Sequence, residues 1–200
     1  MTVQSEHKAL VDIVRWIDEH HSGLVLPSDT RSRLTIGCFD VAVEHQAGIA
    51  VLSSSQLYGP LFALLRVLAE AVVRGLWLGQ CATESDLSKF GKHHSGKEFR
   101  ELIEDIETAI GYANSPLSRF KKNSWKALNS FTHTGFHQVV RRSGDGFTGP
   151  NYPESEICQA LALAGALGLI AAAQLAGISG NQPLVRETLE RMKQYANRTL

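Results

Sequence analysis

The chain has 200 residues, enough for one domain with a real core. Its 20 Lys and Arg balance 20 Asp and Glu. That balance argues against a surface basic all over, as many nucleic-acid binders have, though not against a local basic patch. Cys38, Cys81 and Cys158 are widely spaced, odd in number and without a CxxC pair, so they read as reduced thiols of a cytoplasmic protein. The first residues, MTVQSEHKAL, lack the basic start and apolar run of a signal peptide.

Apolar residues at helical spacing predict a helix over 3–20, closed by Gly23. Pro27 blocks its continuation, and Ser28 or Asp29 can cap a second helix over about 30–54. A third, strongly apolar helix is expected over 59–80, with Pro60 in its first turn. Arg66, Glu70 and Arg74, each four residues apart, run along it as one polar line. The line reads either as an ion-pair ladder on the bundle surface or as a polar face turned into a cleft. Thr83–Asp86 and Ser95–Glu98 look like capping boxes for short helices near 84–93 and 97–110. The second of these helices is acid-rich, and His93 and His94 fall in the linker between the two, where adjacent side chains make a poor chelator.

Ser115 and Pro116 open a helix predicted over 116–132 that continues, loosened by Gly135, to about 141. The segment 143–153 is rich in Gly and Pro and reads as a loop. Residues 154–178 form the last large helix. No charge occurs from Ile157 to Val185, which raises the question of a membrane span. The Ala, Gly and Leu content, the included Gln159 and Gln174 and the lack of a flanking aromatic or basic belt argue against one. Ala160, Ala164, Gly168, Ala172 and Ala176 form a ridge of small side chains, either the contact face of a buried central helix or a dimer face. A final amphipathic helix runs from Pro183 to about 197. The expected fold is all-α: a single domain, 1–200, of seven or eight helices around a four-helix core, with no convincing strand.

The chemistry concentrates in residues 115–142. No Asp or Glu occurs between Glu107 and Asp145, whereas Arg119, Lys121, Lys122, Lys126, Arg141 and Arg142 do, interleaved with aromatics. Asn129, His133 and His137 are four apart, one face of a continuous helix. The two histidines lack the Glu and third ligand of a zinc site, so no metal or cofactor is expected. No hydrolase elbow, phosphate-binding loop or dinucleotide fingerprint occurs. What is left is metal-free acid–base work on a phosphodiester: a histidine moves a ribose 2′-OH proton while cations stabilise the phosphorane. His133 has such surroundings, with Lys126 two turns upstream and Asn129 between them. Equally, Asn129 and His133 could satisfy each other inside the bundle.

LLRVLAEAVVRGLWL followed by NSFTHTGFHQVVRR resembles the HEPN-like helical-bundle proteins of bacteria, in particular branches associated with phage defence and toxin–antitoxin loci. The similarity covers mainly residues 57–80 and 120–175. It implies a four-helix core, a homodimer and, in active members, a metal-independent endoribonuclease with an Arg, a polar residue and a downstream His meeting at a dimer cleft. His133 matches the histidine. Lys126 stands where the arginine is expected, and lysine lacks the bidentate fork. Asn129 lies within the interval rather than directly after the cation. If Arg66 and Glu70 face inward, Arg66 can supply the missing cation. The expected site is therefore His133, Lys126 and Asn129, supported by Arg66, Glu70, Arg74 and His137, with Arg119, Lys122, Arg141 and Arg142 holding RNA. Two other readings stand beside it: a non-catalytic interaction module acting on a dimer or on a protein partner from the same locus, and a small-ligand pocket in the bundle core lined by Arg66, Glu70 and His133.

Overall fold

The computed structural model describes residues 2–92, 97–111, 116–144 and 146–198. Among them are nine α-helices: α1 (Val3–His21), α2 (Thr30–Ser54), α3 (Tyr58–Gln80), α4 (Glu84–Gly91), α5 (Phe99–Ile110), α6 (Pro116–Thr132), α7 (Phe136–Val140), α8 (Glu154–Ile178) and α9 (Gln182–Asn197). The fold is all-α.

Local signals set most boundaries. Asp29 caps α2 by accepting from the Ser32 N–H at 3.0 Å. The Thr83–Asp86 capping box forms, with Thr83 N–H donating to Asp86 at 2.9 Å and Asp86 N–H to the Thr83 hydroxyl at 3.2 Å. The box expected from Ser95 shifts by three residues. Ser95, with His93, His94 and the Ser115 cap, lies outside the described residues, and α5 starts instead where the Glu101 carboxylate accepts from the Glu98 N–H at 2.7 Å.

α8 is the hub and packs against α1, α2, α3 and α9. The ridge Ala160–Ala164–Gly168–Ala172–Ala176 is buried within the chain. It is the contact face of a central helix, which removes its use as a dimer surface. The small side chains along it are what lets the neighbours come close. A Cβ on Gly168 would overlap the Gln46 carboxamide, and one on Gly165 would overlap the Tyr195 ring. Gln46 is fully buried, with its amide 3.5 Å from the Gly165 carbonyl and its Oε1 without a donor among the described residues. α8 is long and apolar enough to cross a membrane by length and composition alone, and 56% of its most apolar window is buried inside the chain.

A second apolar cluster joins the C-terminal half of α3 to α4 and α5 through Val73, Trp77, Leu78, Leu87, Leu102 and Ile103. α6 lies between the two clusters, against α3 and α5.

Two expectations fail between 132 and 149. The helix does not continue to 141. Thr134 adopts φ 54, a left-handed conformation that β-branched residues resist, and the Gly135 N–H reaches back to the Ser130 carbonyl at 2.7 Å, closing α6 in the manner of a Schellman turn. Gly135 itself is extended. It is needed for space, because a Cβ there would lie 2.6 Å from the Ser130 hydroxyl. The loop after α7 also holds a two-residue antiparallel ladder, pairing Ser143 with Thr148 and Gly144 with Phe147, where no strand was expected.

Candidate nucleic-acid interface on helix α6

α6 carries Arg119, Lys121, Lys122 and Lys126 and no carboxylate. A helix this cationic needs anchoring, and the acid-rich α5 provides it. Glu107 accepts from the Ser118 N–H at 3.0 Å and from its hydroxyl at 2.8 Å, which places an anion at the positive end of α6.

The inward face is set by Leu128 and Phe131, the two residues of α6 that are fully buried. Beside them Trp125 stacks on Phe99, with centroids 3.6 Å apart and planes at 1°. The next turn presents Asn129, whose carboxamide oxygen accepts from Arg66 Nε at 2.5 Å. Arg66 also pairs with Glu70 at 3.2 Å, and Arg74 with the other oxygen of Glu70 at 2.9 Å. The Arg66 guanidinium lies 5.0 Å from the Trp125 ring centroid. The polar line of α3 is therefore both things at once: a ladder paired within itself and one wall of a cleft. That cleft is a hollow of about 440 Å³, with Lys97, Arg100 and Lys121 on its other sides. Arg66 does supply a cation next to Asn129, but much of its charge is already engaged by Glu70.

Lys97 bonds Asp105, which raises the Lys97 ammonium pKa. Burial pushes the Asp105 carboxyl up, but hydrogen bonds from Lys97 and from the Trp77 indole, at 2.7 Å, outweigh it and hold the carboxyl below its usual range. Lys97 and its neighbours Phe99 and Arg100 were not legible as site residues, because their sequence segment has no periodic or charge signal distinguishing it from an ordinary helix start.

The outward face is different. Arg119, Lys122 and Lys126 are exposed, as is His133, one residue past the helix end. The His133 N–H still bonds the Asn129 carbonyl at 3.0 Å, so it extends the last helical turn. At 100° per residue the four side chains fall within about 60° of the circumference, over about 21 Å of axis. They form one basic stripe. Among the described residues neither Lys126 nor His133 has a side-chain ion pair or hydrogen bond.

The break at Thr134 corrects the single face expected for Asn129, His133 and His137. Asn129 turns to Arg66, and His133 faces solvent. His137, on α7, faces Phe131 at a centroid distance of 6.1 Å. The core pocket expected from Arg66, Glu70 and His133 is likewise not built: the first two line the α3–α6 hollow and His133 is outside it. Arg141 pairs with Glu156 on α8. Arg142 is exposed, with its guanidinium over Gly59, where a Cβ would block it. Arg141 and His137 instead line a separate hollow of about 310 Å³ on the other flank of α6.

Residues 39–199 match the family of unknown function DUF6988. The chain belongs to that family. The matched span contains α3, α6, α7 and α8, and so every residue of the stripe and of both hollows. No curated protein and no solved structure matches the chain.

The thiols are poor nucleophiles. Burial pushes Cys38 up to about 11, against a small opposing effect of Arg74, and burial also raises Cys81 and Cys158. Among the described residues no three His, Cys, Asp or Glu side chains converge as a metal would require.

Proposed function

We propose that this protein binds RNA along the outer face of α6 and cleaves it without a metal, on a HEPN-like bundle acting as a homodimer. The observation that carries the reading is the stripe Arg119–Lys122–Lys126–His133: four basic side chains on one solvent face, on a helix with no acid, in a chain of zero net charge. Neutral proteins do not need such a concentration for solubility, and phosphates are its natural counterpart. The resemblance of the two helical segments to HEPN-like proteins supports the same reading.

In the proposed reaction the imidazole of His133 takes the proton from a ribose 2′-OH. The 2′ oxygen attacks the adjacent phosphorus, and the bond to the 5′ oxygen breaks. A proton delivered to that oxygen yields a 2′,3′-cyclic phosphate and a 5′-OH end. Lys126 stabilises the charge that gathers on the phosphorane. A second copy meeting the first at this end of α6 would provide the second imidazole, so that one acts as base and the other as acid.

Incubation of total RNA and tRNA with purified protein in EDTA tests this. Wild type is expected to cut, and His133→Ala to lose cutting while keeping its helical content. Intact RNA at high protein concentration, with both proteins folded, would remove the nuclease step. It would favour the second reading, a non-catalytic interaction module. One observation points that way: α7 exposes Phe136 (75%), Val139 and Val140 together, an apolar face of the kind that partners cover.

A further inference from the structure

The second flank of α6 holds a hollow unlike the first. Its floor is aromatic and apolar: Phe62 and Phe131 stack at 4.7 Å and 25°, with Leu65, Leu128 and Leu163 beside them. Its rim is polar and mixed: Asn123 on α6, His137 and Arg141 at α7, Glu156 and Gln159 on α8. Arg141 and Glu156 neutralise each other, so the rim is not an anion trap. The carboxamides of Asn123 and Gln159 offer a donor and an acceptor each, and neither is used by another described residue. Arg141 Nε is buried without an acceptor among the described residues. The volume of about 310 Å³ is at the lower end of small-ligand sites.

We infer that this hollow takes one unpaired nucleobase from an RNA strand whose phosphates lie on the α6 stripe. The inference rests on the RNA reading above and narrows it to single-stranded RNA. A flat ring fits an aromatic floor. A base edge, carrying donors and acceptors and no charge, fits a neutral mixed rim better than a phosphate or an aliphatic chain does. Position supports the same occupant. Asn123 lies about 40° round the helix from Arg119 and about 60° from Lys126, on the side away from Asn129. A strand on the stripe could therefore turn a base over that edge.

The test uses the full chain and four probes: polyphosphate, a single-stranded 12-nucleotide 2′-O-methyl RNA containing 2-aminopurine, which has no 2′-OH to attack, the same sequence as a duplex, and free adenosine. Two variants alter the hollow and leave the stripe intact: Ala127→Trp, at a half-buried position, which fills it, and Asn123→Ala with Gln159→Ala, on two exposed side chains. Wild type is expected to prefer the single strand to the duplex and to change 2-aminopurine fluorescence on binding. Both variants should bind the single strand about tenfold more weakly, the scale of one stacked base, and polyphosphate as wild type does.

If both variants bind the single strand with wild-type affinity, the base pocket is overturned while the stripe stands. If wild type binds neither polyphosphate nor RNA, the RNA reading fails first. Adenosine binding that is lost in Ala127→Trp would then assign the hollow to a free nucleoside and overturn its place in an RNA site. No adenosine binding either would overturn the pocket as well.

Discussion

α8 and α6 differ in how much of their sequence the fold consumes. Thirteen of the 25 residues of α8 are buried, and two of its glycines are explained by what lies against them: Gln46 on Gly168, Tyr195 on Gly165. α6 buries two of 17, and its inward half is accounted for by Leu128, Phe131, Trp125 and Asn129. Its outward cations are not. Removing them would cost the bundle little, since exposed charges contribute on the order of 0–1 kcal/mol to stability. Residues that packing does not require are where function is best sought, and on this contrast α6, not α8, carries the candidate site.

The largest effect expected is on the α8 side. Leu161 is fully buried in the main core. Leu161→Ala should destabilise the chain by about 2–5 kcal/mol, read as a fall in urea midpoint at unchanged slope, with RNA affinity per folded molecule unaltered. A loss below about 1 kcal/mol would mean that α8 is not the organising helix.

Asn129→Ala probes the seam between the two regions. It removes the acceptor of Arg66 Nε but leaves the Glu70 pair, so about 1–2 kcal/mol should be lost. A double-mutant cycle with Arg66→Lys should show coupling of about 0.5 kcal/mol or more. Additive losses would mean that Arg66 and Asn129 are not engaged in solution.

The smallest effect concerns the Trp77–Asp105–Lys97 clip that closes the α3–α6 hollow. The Asp105 carboxyl is depressed in the folded chain. Its contribution is therefore full above the carboxylate value of the unfolded chain and is lost as pH falls through the lower folded value. Lys97 is raised, so its contribution is full below its unfolded value and lost as pH rises past the folded one. Wild type should thus lose more stability than Asp105→Asn as pH drops through the acid range, with no difference between the two slopes near neutrality.

Much of the bundle was readable beforehand. Caps, prolines and helical periodicity placed α2, α3 and α8 to within a residue, because those signals act locally. The small-residue ridge identified α8 as a close-packing helix, but only the surrounding chain decides between core and dimer face. The end of α6 was misread for a physical reason. Gly135 looked like a soft point in a longer helix, whereas Thr134 takes the left-handed turn and Gly135 serves the close approach to Ser130. That one turn separates His137 from His133: Asn129 meets Arg66, His133 faces solvent, and His137 lines the second hollow. The stripe was legible as spacing, and Arg66 as a candidate cation. Its bond to Asn129 spans 63 residues, and the stacking of Phe99 on Trp125 joins two helices, so neither leaves a local trace.

The central claim is that the outer face of α6 is a phosphate-binding surface. Its most direct test is the salt dependence of binding to a single-stranded 2′-O-methyl RNA, which cannot be cut, by wild type and by the triple variant Arg119→Gln, Lys122→Gln, Lys126→Gln. The triple variant should unfold within about 0.5 kcal/mol of wild type. The slope of log K against log salt should fall in magnitude by about 2, since each lost phosphate contact on a single strand contributes about 0.7. Equal slopes and affinities for the two folded proteins would contradict the account and leave the stripe as ordinary solvated charge.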